Sequence, residues 1–146
     1  MIGAIIGDTA GSTYEFANVK TKDFPLFAPR SSYTDDSIMT IAVGSALLRA
    51  SEKSMDFSGA VVHEMRRLGR AYPSPMGDYG TGFQVWLLSA KPEPYGSYGN
   101  GSAMRASPCG EIAKTLEEAL CLARQSAEVT HNHPDGIRGA QAVAAA

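Results

Sequence analysis

The pattern of apolar and polar positions along the chain predicts a series of helices. Apolar residues recur at helical spacing in residues 57–68 and 116–127, and a further pattern of this kind begins at Pro134. A short helix is predicted over residues 83–90, with Trp86 and Leu87 facing inward. Prolines and glycines interrupt residues 17–32 and much of 73–101, which we therefore interpret as loops.

The segment from residue 33 to 39 places a hydroxyl and two adjacent carboxylates at the start of a very apolar helix. We predict that this helix runs from Asp35 to about Ala50 and ends in the polar residues 51–54. A helix that is apolar almost all round belongs in the middle of a domain, where charge must be paired or hold a metal. Either Thr34 caps the helix and the aspartates complement its dipole, or these residues bind a hard cation such as Mg²⁺.

A first helix, predicted over residues 2–14, carries glycines four positions apart, namely Gly3, Gly7 and Gly11. Each glycine lowers helix propensity by about 1 kcal/mol relative to alanine, so we expect another backbone or a ligand to approach that face closely. Asp8, Ser12 and Glu15 form a polar stripe on the same helix. This stripe is either the solvated side of the helix or the wall of a site.

Two later helices begin with recognisable capping residues. Asp56 caps a helix whose apolar positions are predicted to face inward, and Thr115 opens a capping box before another. On the first of these helices we predict four charged residues on the outer face, namely Glu64, Arg66, Arg67 and Arg70. His63 is interpreted as a surface residue. Cys121 lies among the apolar residues of the second helix and is given a structural role.

Composition narrows the class of protein. A chain of 146 residues with 44% hydrophobic and 19% charged residues is typical of one ordinary globular domain, spanning residues 1–146. The formal net charge of -2 gives no nucleic-acid footprint, and no signal peptide or membrane span is evident. Two cysteines make no disulfide framework, which favours a reducing cytoplasm.

The helix pattern after Pro134 stops without the usual end signals, so we predict a chain cut within a helix.

Two further segments carry candidate chemistry. The glycine-rich stretch from Tyr98 to Arg105 leads from loop into helix, a junction that suits an anion, although a lone glycine pair is weak evidence for phosphate. The alternating His131, His133 and Asp135 resemble the His-x-His-x-Asp of binuclear zinc hydrolases. The simpler interpretation places Pro134 in the first turn of a helix that His133 caps.

Together, these motifs resemble the ADP-ribosylglycohydrolases, and in particular bacterial members of the dinitrogenase-reductase-activating type. The resemblance runs from Met1 to the last residue. It is carried by Gly7-Asp8-x-x-Gly11-x-x-x-Glu15, Tyr33-Thr34-Asp35-Asp36-Ser37-x-Met39, Ser97-Tyr98-Gly99-Asn100-Gly101-Ser102-Ala103-Met104-Arg105 and Thr130-His131, in that order.

This resemblance implies an all-α fold with two Mg²⁺ ions, or Mn²⁺ in some members, in a central cleft. It implies that Thr34, Asp35 and Asp36 are metal ligands, that Asp35 and Asp36 thereby serve catalysis, and that Glu15 acts near the scissile bond. His131 would line the ADP-ribose pocket. The loop that would hold the diphosphate comprises Ser97, Tyr98, Gly99, Asn100, Gly101 and Ser102, and Gly80 and Gly82 would flank it.

One departure from the family pattern is large. The family completes its metal site with a later Asp-x-Asp-Thr motif, which this sequence lacks, so the chain resembles about the N-terminal half of a member. The leading hypothesis is a Mg²⁺-dependent hydrolase of ADP-ribosylated proteins or related conjugates, completed by a C-terminal fragment or another copy of the chain. The alternative is a module that binds ADP-ribose without cleaving it.

Overall fold

A central helix organises the fold, and its acidic start faces a cavity. The computed structural model describes residues 1–53 and 55–146. Its α-helices are α1 (Ile2–Gly11), α2 (Asp35–Lys53), α3 (Phe57–Ala71), α4 (Thr81–Leu88), α5 (Ser107–Ile112), α6 (Leu116–Glu128) and α7 (Pro134–Ala145). Short 3₁₀ turns occupy Ser12–Tyr14 and Asn100–Ser102. Because no strand element occurs in the described ranges, the all-α class is confirmed.

The central position predicted for α2 is confirmed. It packs against α1, α3 and α5, and Met39, Ala42, Val43 and Ala46 are fully buried along it. Ile41 is an apolar exception on the outer face. The helix continues to Lys53 rather than ending near residue 50, and Ser54, the last residue of the predicted polar end, lies outside the described residues.

Helix α3 begins as predicted, since the Asp56 side chain accepts a hydrogen bond from the Gly59 N–H. One prediction on this helix is wrong, because Glu64 is 2% exposed and does not lie on the solvated face. Its carboxylate accepts hydrogen bonds from Arg49 Nε at 2.6 Å and from Arg67 Nε at 2.7 Å. Burial opposes the charge on Glu64, but these arginines outweigh it and hold its pKa below the ordinary value.

Helices α5, α6 and α7 pack together, and they meet the central pair through contacts of α5 with α2 and of α6 with α3. Thr115 Oγ1 accepts the Glu118 N–H at the start of α6, as the capping box predicts. Cys121 on this helix is exposed, so the structural role given to it is wrong. Gly110 lets α5 approach α7 closely, since a Cβ there would lie 2.2 Å from the Ala144 carbonyl oxygen.

Helix α1 does not use its glycine face for packing. A Cβ added at Gly3, Gly7 or Gly11 would meet no atom of the described residues within 4 Å, so the close approach of another backbone is wrong. The other alternative, a ligand close to this face, stays a prediction, and Gly7 and Gly11 border a recess of the site. The polar stripe of α1 instead faces the start of α2, as described below. None of the described helices combines the length and apolar character that a bilayer crossing requires.

Candidate active site

A cavity of about 400 Å³ opens where the start of α2, the start of α4 and the glycine-rich loop meet. This volume lies within the range of small-molecule sites. Ten of the predicted site residues line it, namely Glu15, Asp35, Asp36, Gly80, Gly82, Ser97, Gly99, Asn100, Gly101 and His131. A neighbouring recess of about 300 Å³ includes Thr34, and Glu15, Asp36 and Asn100 border both spaces.

Asp8 of α1 holds the start of α2 in place. Its carboxylate accepts hydrogen bonds from the Thr34 N–H at 2.8 Å and the Thr34 hydroxyl at 2.6 Å. It also accepts hydrogen bonds from the N–H and hydroxyl of Ser37, at 3.1 and 2.5 Å. Thr34 Oγ1 in turn accepts the Asp36 N–H at 3.2 Å, so the predicted local cap is present. Since the Thr34 proton points to Asp8, a lone pair on Thr34 Oγ1 stays available to a ligand.

The acidic edge of the cavity carries concentrated negative charge. Burial, with repulsion from Asp36 and Glu15, raises the pKa of Asp35 to about 7. Burial, with repulsion from Asp8 and Glu15, raises the pKa of Asp36 to about 6. Carboxylates that repel one another in a partly buried site favour a bound cation, and carboxylate and hydroxyl oxygens are the ligands that Mg²⁺ prefers.

The oxygen donors therefore fit Mg²⁺, but they do not form a complete metal site. Within the described ranges, no three carboxylate, imidazole or thiolate side chains are grouped so that they could hold a metal ion. Asp35 and Asp36, with the Thr34 hydroxyl, would leave coordination positions to water or to ligands from elsewhere. Mg²⁺ commonly retains several water ligands in proteins.

Glu15 lies between the acidic edge and the loop that follows α3. A Cβ added at Gly77 would lie 2.8 Å from Glu15 Oε2, and Gly77 has a φ of +83°. Only glycine adopts this backbone conformation readily, so Gly77 leaves room for the Glu15 carboxylate. The next residue, Asp78, also has a positive φ, of 60°, and lines the cavity. Backbone strain of this kind concentrates at functional sites.

The glycine-rich loop is fastened to the segment that precedes α7. The Tyr95 N–H donates to the Thr130 carbonyl oxygen at 3.2 Å, and the Gly96 N–H donates to Asn132 Oδ1 at 2.8 Å. Tyr95 also covers Gly82, where a Cβ would lie 2.9 Å from the tyrosine ring. These contacts place the start of α4, the loop and His131 around one space.

Arg105 supports this loop from within the protein. Its guanidinium is 1% exposed and donates to the carbonyl oxygens of Gly101 and Ser126, both at 2.7 Å, and to Thr130 Oγ1 at 2.9 Å. Burial lowers the pKa of Arg105 to about 10, so the side chain remains a cation at neutral pH. Burial, with repulsion from Arg105, lowers the pKa of His131 to about 4, so that imidazole is neutral.

Two predicted loop residues lie outside the cavity lining. Ser102 is completely buried, and its hydroxyl donates to the Gly136 carbonyl oxygen at 2.7 Å, which fixes the loop to α7. Tyr98 is 74% exposed and packs against His133, with ring centroids 5.3 Å apart.

The zinc interpretation of the histidine segment finds no support. His133 is the N-cap of α7, where its Nδ1 accepts the Asp135 N–H at 3.2 Å. Asp135 pairs with Arg138, whereas His131 faces the cavity. The simpler interpretation, with Pro134 in the first turn after a His133 cap, is confirmed.

Comparison with known proteins agrees with this arrangement. A sequence-family model described as ADP-ribosylglycohydrolase matches residues 1–146. The chain belongs to the ADP-ribosylglycohydrolase family. A search among curated proteins gives no significant match. Because the family is one of glycohydrolases, a hydrolase function is supported in general terms.

The cavity is also lined by residues that the sequence reasoning did not assign to the site. They include Met39, Asp78, Tyr95, Met104 and Arg105. Arg105 stands at the end of the loop motif, so the sequence already places a cation next to the proposed anion site. Its burial appears only in the fold. Asp8 likewise belongs to a quoted motif, but only the fold shows that it holds Thr34.

Proposed function

We propose that this chain catalyses Mg²⁺-dependent hydrolysis of the glycosidic bond in ADP-ribosylated protein side chains or related ADP-ribose conjugates. The observation that supports this most is a single cavity lined both by Asp35 and Asp36 and by the glycine-rich loop. Within the family, the motifs favour the bacterial dinitrogenase-reductase-activating type. The two free cysteines favour a cytoplasmic location.

Thr34, Asp35 and Asp36 would hold Mg²⁺, with Mn²⁺ as a possible substitute. Bound Mg²⁺ would polarise ribose hydroxyls and a water molecule, which makes that water a better nucleophile. The two-ion site of the family needs more ligands than these three residues provide. We propose that a complementing C-terminal fragment or a second copy of the chain provides them.

The other cavity residues have roles that follow from their positions. Glu15 borders both the cavity and the recess that contains Thr34, so its carboxylate can exchange a proton near the scissile bond or gate access to it. The loop formed by Ser97, Gly99, Asn100 and Gly101 would hold the diphosphate. Neutral His131 adds a polar contact without placing a second cation beside Arg105.

An ADP-ribose-binding module without turnover is the second candidate. The observation that favours it is the incomplete metal site, since no three acidic or imidazole side chains of the described residues are grouped to hold a metal. The binding surface of the cavity does not depend on that completion. A binding module would therefore retain affinity for ADP-ribose and release nothing from a conjugate.

The experiment measures ADP-ribose release from an ADP-ribosylated protein with and without Mg²⁺, together with calorimetry of ADP-ribose binding. We expect binding by this chain, and Mg²⁺-dependent release once a second copy or the complementing C-terminal fragment completes the site. In that complete protein we expect Asp36→Ala to abolish release while leaving the helical circular dichroism unchanged. Asp23→Ala removes an exposed aspartate of the loop before α2 and is the matched control. Binding without release, even with the complementing fragment added, supports the second candidate, and neither binding nor release refutes both.

A further inference from the structure

The hydrogen bonds beneath the glycine-rich loop have a direction that follows from their chemistry. A guanidinium only donates, so Arg105 Nη2 uses an acceptor lone pair of Thr130 Oγ1 at 2.9 Å. The same Oγ1 lies 2.8 Å from His131 Nδ1. The question is whether the Thr130 hydroxyl donates its one proton to this nitrogen or accepts a proton from it.

The burial of Thr130 decides between these directions. Thr130 is completely buried, and His131 Nδ1 is the acceptor that the described residues offer to its hydroxyl proton. If Nδ1 donated instead, Oγ1 would accept two hydrogen bonds and its own O–H would be left without an acceptor. Buried hydroxyl groups are rarely left in that state.

We propose that Arg105, acting through Thr130, is a positioning residue that fixes His131 as the neutral tautomer protonated on Nε2. Because Arg105 occupies the acceptor side of the hydroxyl, the hydroxyl proton points to Nδ1, and the ring proton lies on Nε2. This nitrogen lies on the ring edge beside Gly101, where an added Cβ would be 3.0 Å from both Nε2 and Cε1.

A fixed tautomer makes His131 selective for the kind of atom it contacts. The Nε2–H offers a hydrogen-bond donor to the cavity, so the ligand atom that meets it must be an oxygen acceptor, such as a phosphate or ribose oxygen. Nε2 already carries the ring proton and cannot accept another, and protonation of Nδ1 would displace the Thr130 hydrogen bond and make His131 a second cation beside Arg105. We therefore assign it to recognition and not to general base catalysis. The identity of the ligand rests on the proposed function, whereas the tautomer does not.

The tautomer is measured on the ligand-free chain by long-range ¹H–¹⁵N correlation of the histidine side chains at neutral pH. We expect His131 to show a protonated Nε2 and an unprotonated Nδ1. His63 provides an internal contrast, because its Nδ1 lies 3.1 Å from a Glu64 carboxylate oxygen, which can only accept. A His131 ring protonated on Nδ1, or a mixture of both tautomers, would overturn the proposal.

Variants of Thr130 separate tautomer control from simple packing. Thr130→Val keeps the shape and removes the hydroxyl, so we expect a mixture of tautomers at His131. Thr130→Ser restores the hydroxyl and should restore the single tautomer. If Thr130→Val retains the wild-type pattern, Thr130 does not set the tautomer. Arg105→Lys removes the guanidinium, and if this variant folds we expect a mixture of tautomers at His131. If it does not fold, Thr130→Val and Thr130→Ser still test the link through the hydroxyl.

Calorimetry with ADP-ribose adds the functional readout. Loss of one neutral hydrogen bond predicts roughly three- to tenfold weaker binding for Thr130→Val, with recovery in Thr130→Ser. Equal affinity in all three proteins would show that the fixed tautomer has no role in recognition. If wild-type protein does not bind ADP-ribose, the proposed function fails while the tautomer measurement still stands.

Discussion

His131 makes the stability of the fold sensitive to acid in a way that can be calculated. Its pKa is lowered from 6.5 to about 4 in the folded protein, first by burial and then by Arg105. The unfolded chain therefore binds a proton at higher pH than the folded chain does. The corresponding contribution to stability is present above pH 6.5 and is lost progressively as the pH falls toward 4.

The size of the effect follows from the two pKa values. Far below pH 4 the full difference corresponds to about 3 kcal/mol, at 1.36 kcal/mol per pKa unit. Between pH 7 and pH 5 the same linkage predicts a loss of about 2 kcal/mol in the free energy of unfolding. His131 is 5% exposed but lines the cavity, so water in the cavity screens part of this effect and about 2 kcal/mol is an upper value.

The assay is urea unfolding at pH 7, 6 and 5 for wild-type protein, His131→Asn and His133→Asn. Other groups also titrate over this range, so the quantity of interest is the difference between wild type and His131→Asn at each pH. We expect that difference to fall by about 2 kcal/mol between pH 7 and 5. His133→Asn removes an exposed histidine and keeps a good capping residue, so it gives the baseline. Parallel pH curves for wild type and His131→Asn would refute the reasoning.

Glycine substitutions test the packing of the site and of the fold. Gly77→Ala should displace the Glu15 carboxylate and lower ADP-ribose release by about 10- to 100-fold. Gly96→Ala introduces the same backbone strain, since its φ is +67°, without a contact to Glu15, and equal losses in both variants would contradict the argument. Gly110→Ala should lower the free energy of unfolding by about 1–3 kcal/mol, measured with urea, because its Cβ overlaps a carbonyl of α7. In Gly139→Ala the added Cβ makes only an ordinary contact, so this control should raise the free energy of unfolding by up to about 1 kcal/mol. Unchanged stability in Gly110→Ala would show that α5 can move away from α7 and would contradict the prediction.

The helices could be predicted where their signals are local. Asp56, Thr115 and His133 each accept a backbone N–H two or three residues ahead, so a short stretch of sequence contains the whole interaction. The burial of the apolar face of α3 follows from its period in the same way. The length of α2 was less predictable because its last turn contains polar residues, which do not by themselves end a helix.

Features that depend on distant parts of the chain could not be predicted. Glu64 was assigned to the solvated face because its partner Arg49 comes from another helix, 15 residues earlier. The polar stripe of α1 was ambiguous until the fold placed Asp8 against Thr34, 26 residues away. The motifs and the glycines predicted to flank the loop identified half of the cavity lining. The supporting contact from Arg105 to Thr130 appears only when the loop folds back.

The charges around the cavity determine how ADP-ribose would enter it. At the acidic edge, Asp35, Asp36 and Glu15 repel each other, and this edge needs a cation before an anion can approach. Beneath the loop, the buried Arg105 guanidinium donates only to neutral oxygens, so no carboxylate of the described residues pairs with it. A diphosphate placed among the carboxylates would meet repulsion, whereas beside the loop it meets a positive field and the Nε2–H of His131. In the proposed function, the ribose and its scissile bond would then lie toward Asp35, Asp36 and Glu15, where Mg²⁺ and proton transfer would act.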